Sequence, residues 1–464
     1  MRIGVFFMVC TRLTSMVLVL MVSMFTFPMG VAQSIRLATF SVDVTPPVGS
    51  PLCDGLVVPT ASVDDLLEAK GIVLLSSQKP VVLIAFDWVG IGNAGYDRMR
   101  ELVARAVDTT PDRVAIHSLH QHDAPGLDFE ADEIASMYGL RGVCCDREFG
   151  NLVIDRLAQA AKASLGKATP ITHVGHGKAK IEKVASARRV LGPDGKVKYT
   201  RTSATKSAEA REQPEGVIDP FVQILSFWNE DKSVAMMSYY ATHPMSYYGK
   251  GQVSADFIGL ARRAHEQQSN VFQVHFNGGG GNVTAGKYND GDPANRALLT
   301  ERVRQGLEKA WQATTKMAIQ DGDLDWKTVP VKLPLSPQYQ DEAAILKQLQ
   351  DDKLPPGRRV QFARHLAFAK RMQSGHEILI QRLRLGSIQV LHMPGELFVE
   401  YQLAAQEMKP DVPILLAAYG DYGPGYIGMS WSYPQGGYET GPVSRVAPEV
   451  EEVLMSAMRR LLND

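Results

Sequence analysis

"FVQILSFWNEDKSVAMMSYYATHP", residues 221–244, sets two apolar runs on either side of the polar turn Asn-Glu-Asp-Lys. Such a pattern reads as a β-hairpin, and so as antiparallel pairing. The next segments change the topology. "SADFIGLARRAHEQQ" (254–268) spaces its apolar residues as a helix does, and "NVFQVHFNG" (270–278) is again a strand. Strands followed by helices imply α/β layering, while hairpins make the sheet mixed. A purely parallel, doubly wound sheet does not fit.

The same alternation extends in both directions. "GIVLLSSQKPVVLIAFDWVG" (71–90) predicts two strands around Gln-Lys-Pro, followed by a helix over "YDRMRELVARAV" (96–107). "DRVAIHSLH" (112–120) predicts a strand, "FGNLVIDRLAQAAKASL" (149–165) a helix, and "LIQRLRLGSIQVLHMPG" (379–395) a last hairpin before a terminal helix near Pro448. Residues 338–375 read as a helical insertion, two charged helices broken at "LPPGR" and expected on the outside. No linker, charge block or repeat divides the rest. The expectation is an α/β fold with a mixed β-sheet core and flanking helices, in a single large domain over 33–464.

The N-terminus bears on the compartment. Arg2 and Arg12 precede "SMVLVLMVSMFTFPMGVA" (15–32), which reads as a signal peptide over 1–32 cleaved near Ala32, with an uncleaved anchor as the alternative. The mature protein is then expected to be secreted or periplasmic. A formal net charge of −1 with 21% charged residues gives no basic face for nucleic acid. Of four cysteines, Cys53 can pair with Cys144 or Cys145 in an oxidising compartment.

"AIHSLHQHDAPG" (115–126) crowds three of the chain's eleven histidines into six residues. At a strand end His120 and His122, two apart, share a face, and His117 points away. Two imidazoles on one face make half of a zinc site; an exposed turn is the bland reading. The HxHxDH pattern is not completed. Further polar residues stand at other strand ends: His243 in "YYATHPMSYYG" and Glu396 in "VLHMPGELFVE", the latter also a plausible helix cap. "FNGGGGNVTAG" (276–286) lacks the ending of a phosphate-binding loop. Its glycines suggest close approach of backbone to a ligand, with N–H groups of Gly279 and Gly280 free to donate beside Asn282. Asn282-Val283-Thr284 is also a glycosylation sequon.

Taken in order, "VDVTPPVGSPL", "SLHQHDAPG", "YYATHPMSYY" with "VSADFIG", "NGGGGNVTAG", "MPGELFVE" and "GPGYIGMSWSYPQGGYE" resemble the catalytic domain of the neutral/alkaline ceramidase family, from about residue 35 onward. The resemblance implies a Zn²⁺-dependent amidohydrolase that splits an N-acyl sphingoid base by attack of zinc-bound water. It implies His120, His243 and Glu396 as zinc ligands, with Tyr426 as the fourth and Tyr433 as the alternative. It implies catalytic roles for His122 and Tyr426, and for Thr284, which stands where the family has serine before Pro-Asn; here Ala285-Gly286 follow. Asp123 is a candidate to orient an imidazole. The chain ends after "EVEEVLMSAMRRLL", so the family's C-terminal immunoglobulin-like domain is not expected in it. The expected partner is a small-molecule or lipid substrate, with room for peripheral membrane contact and no nucleic acid. A zinc esterase or lactonase, or a non-catalytic surface binding protein, are the competing readings.

Overall fold

The computed structural model describes residues 1–5, 8–10 and 34–463; the expected leader peptide and its cleavage point lie largely outside the described residues. Residues Gln33–Asp464 form one compact unit, built on three mixed sheets. The first contains β1 (Arg36–Asp43), β2 (Glu68–Leu75), β3 (Val81–Phe86), β4 (Val114–Ser118) and β5 (Thr169–Pro170), in the order β4-β3-β2-β1-β5. The second contains β6 (His173–Lys180), β7 (Phe221–Asn229), β8 (Lys232–Tyr240), β9 (Phe272–Asn277) and β10 (Thr315–Ala318), in the order β9-β8-β7-β6-β10. The third contains β11 (Leu324–Val331), β12 (Ile378–Leu385), β13 (Ile388–His392) and β14 (Ile414–Ala417), in that order.

Each sheet is antiparallel except for one pair at its edge: β3 with β4, β8 with β9, and β13 with β14. The expected hairpin is β7–β8, closed between Asn229 and Lys232, with Glu230 in the left-handed region at φ 54°. The β3 segment "VVLIAF" is buried along its whole length, as expected of a strand covered on both faces. Burying each such Val or Leu contributes about 1.5–3 kcal/mol.

Helices α1 (Asn93–Ala106), α3 (Arg147–Ser164), α4 (Asp256–Ser269) and α5 (Ala294–Gln312) pack on the first two sheets, and α2 (Phe129–Ser136) lies against α1. Asp128 and Asp146 cap α2 and α3 by accepting from the N–H of Ala131 and Phe149. Helices α6 (Glu342–Gln350), α7 (Pro356–Gln373), α8 (Val399–Met408) and α9 (Val450–Asn463) complete the unit. Here the structure corrects one expectation. The helical segment over 338–375 is not an external decoration: Val360, Ala363, Arg364, His365, Leu366 and Phe368 of α7 are buried. Its charges misled because two of its basic side chains, Arg364 and Arg371, are satisfied inside by Asp54 and by Asp97. Cys53, Cys144 and Cys145 are buried free thiols, so the expected disulfide is not formed.

The parallel pairs position the site. Tyr419 O, just after β14, accepts from Ser118 N at the end of β4 (2.9 Å). Ala418 N donates to Asn277 O at the end of β9 (2.9 Å). Three sheet edges therefore meet at their C-terminal ends, the place where α/β sheets build ligand sites.

Candidate metal centre

His120 and His122 follow β4, His243 follows β8, and Glu396 follows β13. His120 Nε2 and His243 Nε2 each lie 3.1 Å from Glu396 Oε2. The three ligating atoms fall within 4.8 Å of one another, and all three residues are buried. Glu396 also faces Tyr426 across a short parallel bridge, which brings Tyr426 OH to 3.0 Å from His243 Nε2. Tyr433 turns elsewhere, its hydroxyl 3.3 Å from Ser444 Oγ. Of the two tyrosines, Tyr426 is the one beside the histidines.

The tautomers reveal what the cluster is built for. His120 Nδ1 donates to Val89 O (2.6 Å), and His243 Nδ1 donates to Gly280 O (2.6 Å). A carbonyl can only accept, so each proton sits on Nδ1 and each Nε2 presents a bare lone pair. Two imidazole lone pairs and a carboxylate oxygen thus converge, an arrangement that a cation resolves. Imidazole and carboxylate donors in this ratio, with a further oxygen at Tyr426, fit Zn²⁺. Burial holds the His122 imidazole well below its ordinary value, and so neutral. Burial likewise raises the Tyr426 phenol, against the pull of Arg188.

The opening histidines converge for a reason other than strand parity. β4 ends at Ser118, and His120 lies beyond it with φ at 78°, a conformation uncommon for non-glycine residues. That bend carries His120 inward and leaves His122 Nε2 3.4 Å from His120 Nε2. His117 is buried on the other side, between Ala418 O (2.7 Å) and His392 Nδ1 (3.0 Å).

The glycine loop has a different use from the one expected. Gly279 N donates to Gln402 Oε1 and Gly281 N to Leu397 O, so the Gly279 N–H is not free for a ligand, while Gly280 contributes its carbonyl to His243 Nδ1. A Cβ on Gly281 would stand 2.2 Å from Glu396 O; the glycines let backbone meet backbone beneath the carboxylate. Asn282 accepts from Val399 N and donates to Glu400 Oε2, which fixes the start of α8 and buries the sequon. Thr284 Oγ1 bonds Gly286 N and Arg201 O. Its strand partner is Ser186, and its role on this geometry is to place the segment running into Arg188. Asp123 accepts from Gly249 N; backbone carbonyls, not Asp123, orient the imidazoles.

Two residues went unread in the sequence. Arg188, buried, donates to Tyr426 OH (2.9 Å) and lies 3.3 Å from His243 Nε2. Glu439 holds it by an ion pair at 3.0 Å and holds Arg189 equally. Tyr422 OH donates to Glu396 Oε1 (3.0 Å), so it is more than core packing. Only the adjacency of two arginines in "SARRVL" hinted at the first. The cluster opens into a cavity of ≈ 180 Å³ walled by Leu56, Phe362, Tyr422, Tyr438 and Val443.

This architecture has solved counterparts. A ceramidase complexed with C2 superposes with a TM-score of 0.66 over 92% of this chain and 75% of that one, at 16% identity. The neutral ceramidase from Pseudomonas aeruginosa gives 0.66 over 93% and 75%, also at 16%. The chain has the neutral ceramidase fold. No family model and no curated protein matches the sequence, so the likeness to ceramidases is carried by three-dimensional structure and not by overall identity. The expected α/β class with a mixed core and flanking helices is the one observed.

Proposed function

We propose that the chain is an exported zinc-dependent amidohydrolase with a ceramidase-like activity, acting on N-acyl lipids. The observation that carries this reading is the convergence of two bare Nε2 lone pairs on the Glu396 carboxylate at 3.1 Å. His120, His243, Glu396 and Tyr426 would hold the ion, which when bound supplies a Lewis acid and a water acidic enough to attack at neutral pH.

The chain's own groups do the rest. Water adds its oxygen to the acyl carbon, the C–N bond breaks, and a proton passes to the leaving amine. Arg188, anchored by Glu439 and pointed at Tyr426 OH, supplies N–H donors where negative charge develops on the acyl oxygen. His122, neutral and adjacent to His120, adds a second donor or carries the proton toward nitrogen. Leu56, Phe362 and Val443 offer apolar wall to an acyl chain. Export rests on the apolar segment 15–32 behind Arg2 and Arg12; among the described residues no helix is long and apolar enough to cross a membrane.

The test is hydrolysis of N-acyl sphingosines and matched esters by purified protein, with metal content measured on the same sample. Amide cleavage that tracks zinc occupancy is the expected result. Cleavage of esters alone moves the protein to the esterase reading, and bound metal with no turnover on any acyl substrate to a binding role.

A further inference from the structure

The cavity that opens from the metal cluster has a second polar feature on the side formed by α7. Arg364 and Arg445 both line it and both are buried, at 5% and 4% exposure. Arg364 is charge-balanced: its Nη1 meets Asp54 Oδ2 at 2.5 Å and Gln361 Oε1 at 3.1 Å. Arg445 is not. Its Nε donates to His365 Nδ1 (2.9 Å) and its Nη1 to Gly423 O (3.0 Å), both neutral acceptors. Among the described residues no carboxylate stands within ion-pair distance of it.

The surroundings hold Arg445 in that state. His365 must be unprotonated at Nδ1 to accept from Arg445, and it is stacked on Tyr339 at 4.3 Å, so it cannot swing away to leave room for an acid. Burial, and then the like charge of Arg364, disfavours the Arg445 cation. The buried carboxylates Asp54 and Asp128 act on Arg445 only through space, without a direct ion pair, and a fold keeps such an arrangement where a ligand completes it. Arg445 lines the same cavity as His120, Glu396 and Tyr426. Among the described residues its Nη2 donates no hydrogen bond to the protein. The planar fork of a guanidinium matches a carboxylate.

We propose that Arg445, backed by Arg364, is an anion subsite, and that the preferred substrate is an N-acyl amide whose amine portion carries a carboxylate. The apolar acyl chain brings no charge, so the anion falls to the amine side. A sphingoid base offers hydroxyls there and leaves Arg445 unmet. This inference rests on the amide-hydrolase reading and narrows it to N-acyl amino acids.

Two measurements separate the inference from the reading it rests on. The first compares kcat/KM for N-decanoylglycine and N-decanoylethanolamine, equal in chain length and differing in charge. The acidic amide is expected to be favoured at least tenfold, and Arg445→Gln to erase that ratio chiefly through KM, with Arg445→Lys restoring part of it. The second is calorimetric binding of N-decylglycine and N-decylethanolamine, which lack the scissile carbonyl and differ only in the carboxylate, to wild type and R445Q. A tenfold loss confined to N-decylglycine is expected. Equal or better cleavage of the neutral amide by wild type, or equal losses of both amines in R445Q, overturns the subsite. N-Decylglycine selectivity that depends on Arg445 without cleavage of any amide upholds the subsite and overturns the hydrolase reading instead.

Discussion

His243 and Glu396, 153 residues apart in the chain, stand with Nε2 and Oε2 3.1 Å apart because β8 and β13 end at the same point. The pair is held from behind: Gly280 O fixes the imidazole and Tyr422 OH fixes the other carboxylate oxygen. Ligands so anchored are preorganised for a metal.

The two histidines of the opening loop should separate by assay. His120→Ala is expected to abolish metal binding. His122→Ala should keep most of the metal and lose rate by about 10²–10³-fold if it donates to the oxyanion. Metal analysis beside steady-state kinetics reads both effects, and retention of metal by H120A would remove that residue from the ligand set.

Arg188 should matter to rate and not to metal. Arg188→Ala is expected to lower kcat by about 10²-fold, the usual value of one oxyanion donor. Arg188→Lys should rescue little of it, because a single ammonium cannot reach Tyr426 and Glu439 together. Glu439→Gln strands two arginines in a buried setting and should cost about 3–5 kcal/mol of stability, read by urea denaturation. An E439Q variant as stable as wild type would show that this network does not hold the site.

Tyr426→Phe should leave the fold intact while lowering turnover by about tenfold or more, and Tyr433→Phe should be mild, since its hydroxyl only bridges to Ser444 and Val446. The reverse pattern would assign the catalytic phenol to the wrong turn.

Acid should unfold the protein through its buried neutral histidines. Burial depresses His117 to about 4 and, with Arg262, His275 to about 3. The folded state then binds fewer protons than the unfolded chain below pH 6.5, so stability is complete above that value and falls as pH drops toward 4. Each such group contributes a slope of about 1.4 kcal/mol per pH unit. Urea midpoints between pH 7 and 4.5 should decline, and His275→Leu should flatten the decline. An unchanged profile in H275L would rule out that histidine as a source.

Much of the fold was legible because its strands are continuous apolar runs and its turns carry their usual residues, as in Asn229–Lys232. His120, His243 and Glu396 were legible because each follows such a run. The parity argument for His120 and His122 failed in its details, since no periodicity announces a positive φ at His120. Arg188, Tyr422 and Arg364 escaped because their partners are remote in sequence: Tyr426, Glu396 and Asp54. A charged helix such as α7 looks solvated until its counter-ions are located. The glycine loop misled for a related reason, as close approach to backbone and close approach to a ligand leave the same signature.

The most direct measurement is zinc stoichiometry of purified wild type and His243→Ala, with N-acyl amide hydrolysis assayed before and after chelation and zinc return. The expected result is one zinc per wild-type chain and none in H243A, with hydrolysis lost on chelation and recovered with zinc. Full metal content in H243A, or hydrolysis that survives complete removal of metal, would contradict the account.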